Sequence, residues 1–284
     1  APLQHRPQGR NALPHSCART CGGARRAPRP HRRNATFPKT VRPANGSQPI
    51  RKGACKLSTL ILVRHGQSEW NLANRFTGWW DVDLTDKGGE EARAAGRLLK
   101  DKGLLPDLAF TSLQTRAIRT LNLALEECGR VWIPVRKDWH LNERHYGGLT
   151  GLNKQEMRDK HGDEQVHIWR RSFDTPPPAM EPGSEFDPGA DPRYAGIDVP
   201  YTESLKLTIE RVLPYWEEHI LPQLTGDHTV IVSAHGNSLR ALVKHLSGIS
   251  DDEITGLEIP TGRPIIYQFE GGSPLGERRY LDET

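Results

Sequence analysis

His65 and His235 each close a short aliphatic run, and each is followed by glycine: Leu60-Ile61-Leu62-Val63-Arg64-His65-Gly66 and Val230-Ile231-Val232-Ser233-Ala234-His235-Gly236. Consecutive aliphatics with β-branched members predict a strand buried on both faces, as in a parallel sheet. In open α/β sheets, ligands bind at the carboxyl edge of such strands. Arg64 arrives there with the first imidazole, and Gly66 permits a sharp turn or the close approach of a ligand. Arg116, just after a second strand and at the start of its helix, faces the same edge. Two imidazoles and at least two guanidiniums then surround one pocket. Guanidinium forks bind phosphate or carboxylate bidentately, and a helix beginning after His235 adds backbone N–H donors for an anion. Neutral imidazole is a nucleophile near pH 7. The simplest site of this kind attacks a phosphoryl group with histidine and stabilises the charge with arginine, without a metal.

A histidine nucleophile needs a separate acid to protonate the leaving oxygen. Glu143, in a glycine-rich loop, is the best-placed carboxylate in the chain. Read alone it is equally a surface acid paired with Arg144, and Arg170-Arg171 is equally a solvated helix face. Lys154 and Tyr146 are ordinary in isolation. Two histidines and a glutamate are also common zinc ligands. The chain has no His-x3-His or His-Glu-x2-His spacing, however, and the arginines would repel a cation.

Positioning these groups requires a scaffold. Thr85 is expected to cap a helix running to about Lys102, with Ala92, Ala95, Leu98 and Leu99 on its inner face. Residues 107–112 read as a second strand, and residues 113–128 as a helix with Ala117, Leu121, Leu125 and Cys128 inward. Residues 131–135 read as a third strand, kept to an edge by Pro134. Residues 141–151 read as a loop and residues 153–171 as one polar helix. Residues 175–200, rich in proline and glycine, form a long irregular excursion of the kind that is functional or disordered. A helix is expected from Thr202 through Leu221, bent at Pro214. Leu239, Leu242, Val243 and Leu246 follow at helical spacing. Residues 264–269 close the sheet, and residues 278–284 form a short tail. This alternation predicts an α/β fold over residues 57–284, with a mostly parallel central sheet flanked by helices.

Bulk properties narrow the function classes. No apolar run approaches the roughly 18 residues of a membrane span. The four cysteines, Cys17, Cys21, Cys55 and Cys128, contain no Cys-x2-Cys pair, which argues against a disulfide framework or structural zinc and fits a reducing compartment. The net charge of +4 conceals an asymmetry. Residues 1–56 hold 13 Lys and Arg and no acid, whereas the remainder holds 26 basic and 35 acidic residues. Without periodicity, the first 56 residues are expected to be a disordered basic extension. Its composition resembles an organelle transit peptide. With no Met before Met157, a fragment or a mistranslated leader is another reading, and a basic nucleic-acid arm is a third. The expected compartment is the cytosol, or a plastid or mitochondrion if the extension is a genuine transit peptide.

Taken together, Arg64-His65-Gly66-Gln67-Ser68-Glu69-Trp70-Asn71, Arg75-Phe76-Thr77-Gly78-Trp79, Thr111-Ser112-Leu113-Gln114-Thr115-Arg116-Ala117, Asn142-Glu143-Arg144-His145-Tyr146-Gly147, Lys154, Trp169-Arg170-Arg171 and Ala234-His235-Gly236-Asn237 resemble the cofactor-dependent phosphoglycerate mutase family of the histidine phosphatase superfamily. The likeness runs in order from about residue 56 to residue 280. It implies that His65 is the phosphorylated nucleophile, that Glu143 is the proton donor and acceptor, and that His235 stabilises the transferring group. Arg64, Arg116, Asn71, Gly236 and Asn237 would surround it. It implies that Tyr146, Lys154, Arg170 and Arg171 hold the rest of a phosphoglycerate and that Thr77 and Gly78 meet its carboxylate end, with Ser68, Arg144 and His145 in the same binding set. Ser68 and Thr77-Gly78 resemble the mutases rather than the bisphosphoglycerate synthases. The implied reaction interconverts 3-phosphoglycerate and 2-phosphoglycerate, primed by 2,3-bisphosphoglycerate without a metal. A homodimer or homotetramer is implied, with no nucleic-acid or membrane partner. A broad-specificity histidine phosphatase using the same residues is the alternative.

Overall fold

An uninterrupted aliphatic run can be fully buried only if strands flank it and helices cover both faces. The computed structural model, which describes residues 57–283, has this arrangement. β1 (Ser58–Arg64) lies between β4 (Thr229–Ala234), to which it is parallel, and β5 (Ile265–Glu270), to which it is antiparallel. With β2 (Leu108–Thr111), β3 (Val135–Lys137) and β6 (Ser273–Tyr280), the sheet has six strands in the order β3-β2-β4-β1-β5-β6. β1 to β4 are mutually parallel, so the expected mostly parallel α/β sheet is borne out.

The strand period sorts the core. Ile61 and Val63 face α2 (Asp86–Asp101) and α3 (Thr115–Glu127), packing with Ala95, Leu99, Leu121 and Leu125. Leu60 and Leu62 face α6 (Leu205–Tyr215) and α7 (Gly236–Ser247), packing with Val212, Trp216, Leu239 and Val243. All four strand residues are at most 1% exposed. Burial on that scale stabilises by roughly 1.5–3 kcal/mol per large aliphatic. It fixes the register, because a slip of one residue would exchange the two faces. Arg64 pairs with Ala234 across β1 and β4, so the next residue on each strand is a histidine at the same edge.

The turn after His65 depends on close backbone approach. A Cβ on Gly66 would lie 2.1 Å from the carbonyl oxygen of Gly88, in the first turn of α2. Only glycine lets the α2 backbone come this close beneath the loop that carries the short helix α1 (Glu69–Leu72).

Several expectations need correction. The third strand forms at Val135–Lys137, not at residues 131–135. Pro134 has no N–H to give the ladder and only accepts, from Ala109 N at 3.0 Å, while Val131 and Trp132 are exposed. The polar helix over residues 153–171 is two helices, α4 (Lys154–His161) and α5 (Asp163–Arg171), broken at Gly162 with φ +84°. The expected bend at Pro214 is a widening of α6 into a π-turn over Trp216–Ile220. The supposed tail begins as the last three residues of a strand, Arg278–Tyr280, and continues as a 3-10 turn at Leu281–Glu283. Gly271 and Gly272, both at positive φ, turn β5 back into β6 as an antiparallel hairpin. The extension expected over residues 1–56 lies outside the described residues.

Candidate active site

The reacting end is built at the tips of β1 and β4. The rings of His65 and His235 are 5.0 Å apart between centroids and tilted by 57°. His65 Nδ1 lies 2.7 Å from the Gly66 carbonyl oxygen. A carbonyl only accepts, so Nδ1 carries the proton and Nε2 keeps its lone pair. Burial first, then Arg116 and Arg64, hold the His65 pKa well below its ordinary value. The ring is therefore neutral at physiological pH, the form a nucleophile requires. His235 is neutral for the same leading reason, burial, reinforced by Arg116, His65 and Arg64. Its Nε2 meets Ser112 Oγ at 2.7 Å, while its buried Nδ1 has no partner in the protein. Ser112 Oγ accepts from Gln114 N, so its hydroxyl proton is available to His235 Nε2. That leaves Nδ1–H to donate to a ligand.

Guanidiniums flank the pair. Arg64 Nη1 donates to the Ile259 carbonyl at 2.8 Å. Arg116, 1% exposed, donates to the carbonyls of Gly78 (2.9 Å) and Trp80 (3.1 Å). Burial lowers its pKa to about 10, against the pull of Glu143 and Asp81, so it stays charged. Gln114 Nε2 donates to the Gly78 carbonyl, and its Oε1 accepts from Glu143 N. One buried amide thus ties the Thr77-Gly78 turn to the acid's loop.

Glu143 Oε1 accepts from Asn237 N (3.0 Å), Asn237 Nδ2 (2.9 Å) and Arg144 N (2.8 Å). The first turn of α7 therefore orients the carboxylate. Its loop is pinned from behind. Arg211 forms a bidentate pair with Glu203 (2.8 and 2.9 Å) and donates to the carbonyls of Trp139, His140, Asn142 and Glu143. Glu203 also accepts from His145 N at 2.8 Å. Both side chains are almost fully buried. Glu203→Ala would strand a buried cation and is expected to destabilise the protein by about 3–5 kcal/mol. Denaturant unfolding of the two proteins checks this, and a change under about 1 kcal/mol would contradict it.

Farther out, the cleft of about 180 Å3 is lined by six cations, Arg64, Arg116, Lys154, Arg170, Arg171 and Arg240, and by two acids, Glu143 and Glu258. Burial brings Lys154 down to about 8, opposed by Tyr146 and reinforced by Arg170 and Arg64. Burial and the Glu143 charge would raise the Tyr146 phenol, but the charge and hydrogen bond of Arg144 together with Arg170 bring it down to about 8. Loss of a proton from either group, as pH rises through about 8, lowers the net charge of the cleft by one, Lys154 by losing a positive charge and Tyr146 by gaining a negative one. Affinity for an anionic ligand is therefore expected to be full below that value and to weaken above it. KM measured from pH 6.5 to 9.5 checks the sign, and Lys154→Arg together with Tyr146→Phe should abolish the rise. A KM that fell with pH would contradict it.

A family model of the histidine phosphatase superfamily (branch 1) matches residues 60–280. The chain belongs to that superfamily. Among curated relatives, a 2,3-bisphosphoglycerate-dependent phosphoglycerate mutase of Erythrobacter litoralis is 78% identical over 228 residues, covering 80% of this chain and 100% of the relative. Among solved structures, a protein titled mycobacterial hydrolase 1 superposes with a TM-score of 0.61 at 22% identity, covering 79% of this chain and 97% of its own. A phosphoglycerate mutase from Bacillus anthracis does so with a TM-score of 0.57 at 22% identity, covering 78% and 92%. At that identity the superpositions speak for the fold alone, which a hydrolase and a mutase share.

The superfamily likeness gathered more residues than the cleft holds. Arg64, His65, Asn71, Thr77, Gly78, Arg116, Glu143, Tyr146, Lys154, Arg170, Arg171, Gly236 and Asn237 line it. Ser68 does not. Fully buried, it caps α1, its Oγ accepting from Asn71 N while Asn71 Oδ1 accepts from Ser68 N. Arg144 turns away to the carbonyls of Trp169 and Arg170. His145 packs against Trp79, and its Nδ1 accepts from Gly147 N. Sequence reasoning missed Phe76, Arg240, Glu258 and Ile259 in the cleft wall, and Ser112, Gln114, Glu203 and Arg211 behind it. Arg240 had a legible signal: it falls three residues after Asn237 on α7, to whose Oδ1 it donates.

Proposed function

We propose that this chain interconverts 3-phosphoglycerate and 2-phosphoglycerate through a phosphohistidine, as an enzyme dependent on 2,3-bisphosphoglycerate. The observation that carries the chemistry is the convergence of His65, His235 and Glu143, whose donor atoms lie within 4.8 Å of one another, in a cleft with six cations. The activity for which the 78% identical relative is named supports mutase over phosphatase. When bound, 2,3-bisphosphoglycerate supplies the priming phosphoryl group. His65 Nε2 accepts a phosphoryl group, while Arg64, Arg116 and His235 Nδ1–H take up its developing charge. Glu143 gives a proton to the substrate oxygen that leaves and recovers it from the one that attacks, in either direction, as microscopic reversibility requires. Tyr146, Lys154, Arg170 and Arg171 hold the remainder of the substrate, with Thr77 and Gly78 at its carboxylate end. No metal has a part in this reading, because Arg64 and Arg116 occupy the electrostatic place that a cation would take.

Conversion of 3-phosphoglycerate with and without 2,3-bisphosphoglycerate tests the proposal. Strong activation by the bisphosphate is expected, and turnover indifferent to it would contradict the reading. Release of inorganic phosphate faster than isomerisation would favour the phosphatase alternative. Catalysis is assigned to residues 57–284, the part that carries the family match. The likeness also supports a homodimer or homotetramer, and a monomer by light scattering would count against it. Residues 1–56 are assigned no part in catalysis, and a reporter fused to them would read out any targeting role. No helix among the described residues is long and apolar enough to cross a membrane.

A further inference from the structure

Of the two acids in the cleft wall, Glu143 sits at the reacting end and Glu258 does not. Glu258 pairs with Arg171 Nη2 at the mouth, where the glutamate is 73% exposed and the arginine 21%. Its backbone is anchored. The next residue, Ile259, accepts from Arg64 Nη1 through its carbonyl, and Gly262 N donates to the Arg64 carbonyl at 3.0 Å. An exposed carboxylate on an arginine is ordinarily a weak surface pair. Here it stands in a strongly cationic cleft, carried by a segment fixed to the end of β1, and it engages a guanidinium at the end of α5.

We propose that Glu258 is an internal competitor for the substrate: its carboxylate holds the Arg171 guanidinium that the substrate's distal anionic group takes over on binding. This deepens the phosphoglycerate reading and rests on it. A ligand whose distal anion reaches Arg171 must displace the carboxylate or share the guanidinium fork with it, and in both cases it meets a like charge at the mouth. Glu258 therefore sets a threshold. A compact anion that fills only the reacting end, beside Arg64 and Arg116, leaves the pair intact. A ligand with a second anionic centre must break the pair or share it. The acid thereby lowers affinity for the substrate and eases release of a product of the same charge.

The test compares the full-length protein with Glu258→Gln. Titration calorimetry gives the Kd of 3-phosphoglycerate and of sulfate, the single-centre control, and kcat and KM are measured alongside. Glu258→Gln is expected to tighten 3-phosphoglycerate at least about threefold and to lower KM in step. Sulfate affinity should stay within about twofold. An unchanged or weakened Kd for 3-phosphoglycerate would overturn the proposal, because a glutamate that only propped Arg171 in place would weaken binding when removed. Equal tightening of sulfate would also overturn it, since the effect would then be general. Failure of the reaction reading looks different: 3-phosphoglycerate binds to both proteins but neither turns it over, and the Kd comparison still decides the role of Glu258. The exposure of Glu258 makes misfolding an unneeded explanation, and melting temperatures of the two proteins check that directly.

Discussion

Alanine at His65 is expected to lower turnover by at least about 10^4-fold, the loss seen when a covalent nucleophile is removed from a site that keeps its other parts. The size follows from the geometry. His65 Nδ1 is committed to the Gly66 carbonyl, so Nε2 is the ring atom left to attack. His235 cannot take over, because its Nε2 is held by Ser112. Turnover and melting temperature should be measured together. Within the protein the lost imidazole hydrogen-bonds to the adjacent Gly66 carbonyl, so the alanine protein should melt within a few degrees of the parent. Residual activity within about tenfold of the parent would remove His65 from the reaction. Neutrality of the ring adds a pH signature. The His65 pKa is held below 6.5 by burial and the nearby arginines, so the unprotonated nucleophile persists below pH 6.5 and is lost only as pH falls through the lowered value.

Glu143→Gln is expected to reduce kcat by about 10^2- to 10^4-fold, the range for removing a positioned general acid. The substitution separates charge and proton from shape. Asn237 N, Asn237 Nδ2 and Arg144 N all donate to Oε1. A glutamine oxygen can keep these bonds, yet an amide cannot cycle a proton to a leaving alkoxide. KM should move far less than kcat, since the carboxylate faces the reacting end. A loss smaller than about tenfold would assign proton transfer elsewhere.

Much of this arrangement is legible in the sequence. The two runs ending in His-Gly mark adjacent parallel strands, and the Arg64–Ala234 register brings their histidines to one edge. Arg116 was legible from its place just after β2. What stayed hidden depends on direction or on distance along the chain. In the irregular loop 142–146, neighbouring side chains point to different sides: Glu143 and Tyr146 enter the cleft, whereas Arg144 and His145 turn to the core. A motif read as a string cannot separate them. Ser68 stands outside the cleft wall for a related reason, since its side chain is spent on capping α1. Arg211 and Glu203 meet the acid's loop from some 60 residues beyond Glu143, and Glu258 meets Arg171 across 87 positions. No local period encodes such pairings. β6 was missed because its exposed residues lack a buried alternation, although the Gly271-Gly272 pair before it is a hairpin signal.

The central claim is that His65 carries the phosphoryl group between substrates. Brief exposure of the protein to 2,3-bisphosphoglycerate, followed by quenching at alkaline pH and mass spectrometry of the peptide that contains His65, tests it most directly. The expected result is an acid-labile phosphoryl group on His65, absent from His65→Ala and discharged by added 3-phosphoglycerate. Mutase turnover with no phosphohistidine, or with the phosphoryl group trapped on another residue, would contradict it.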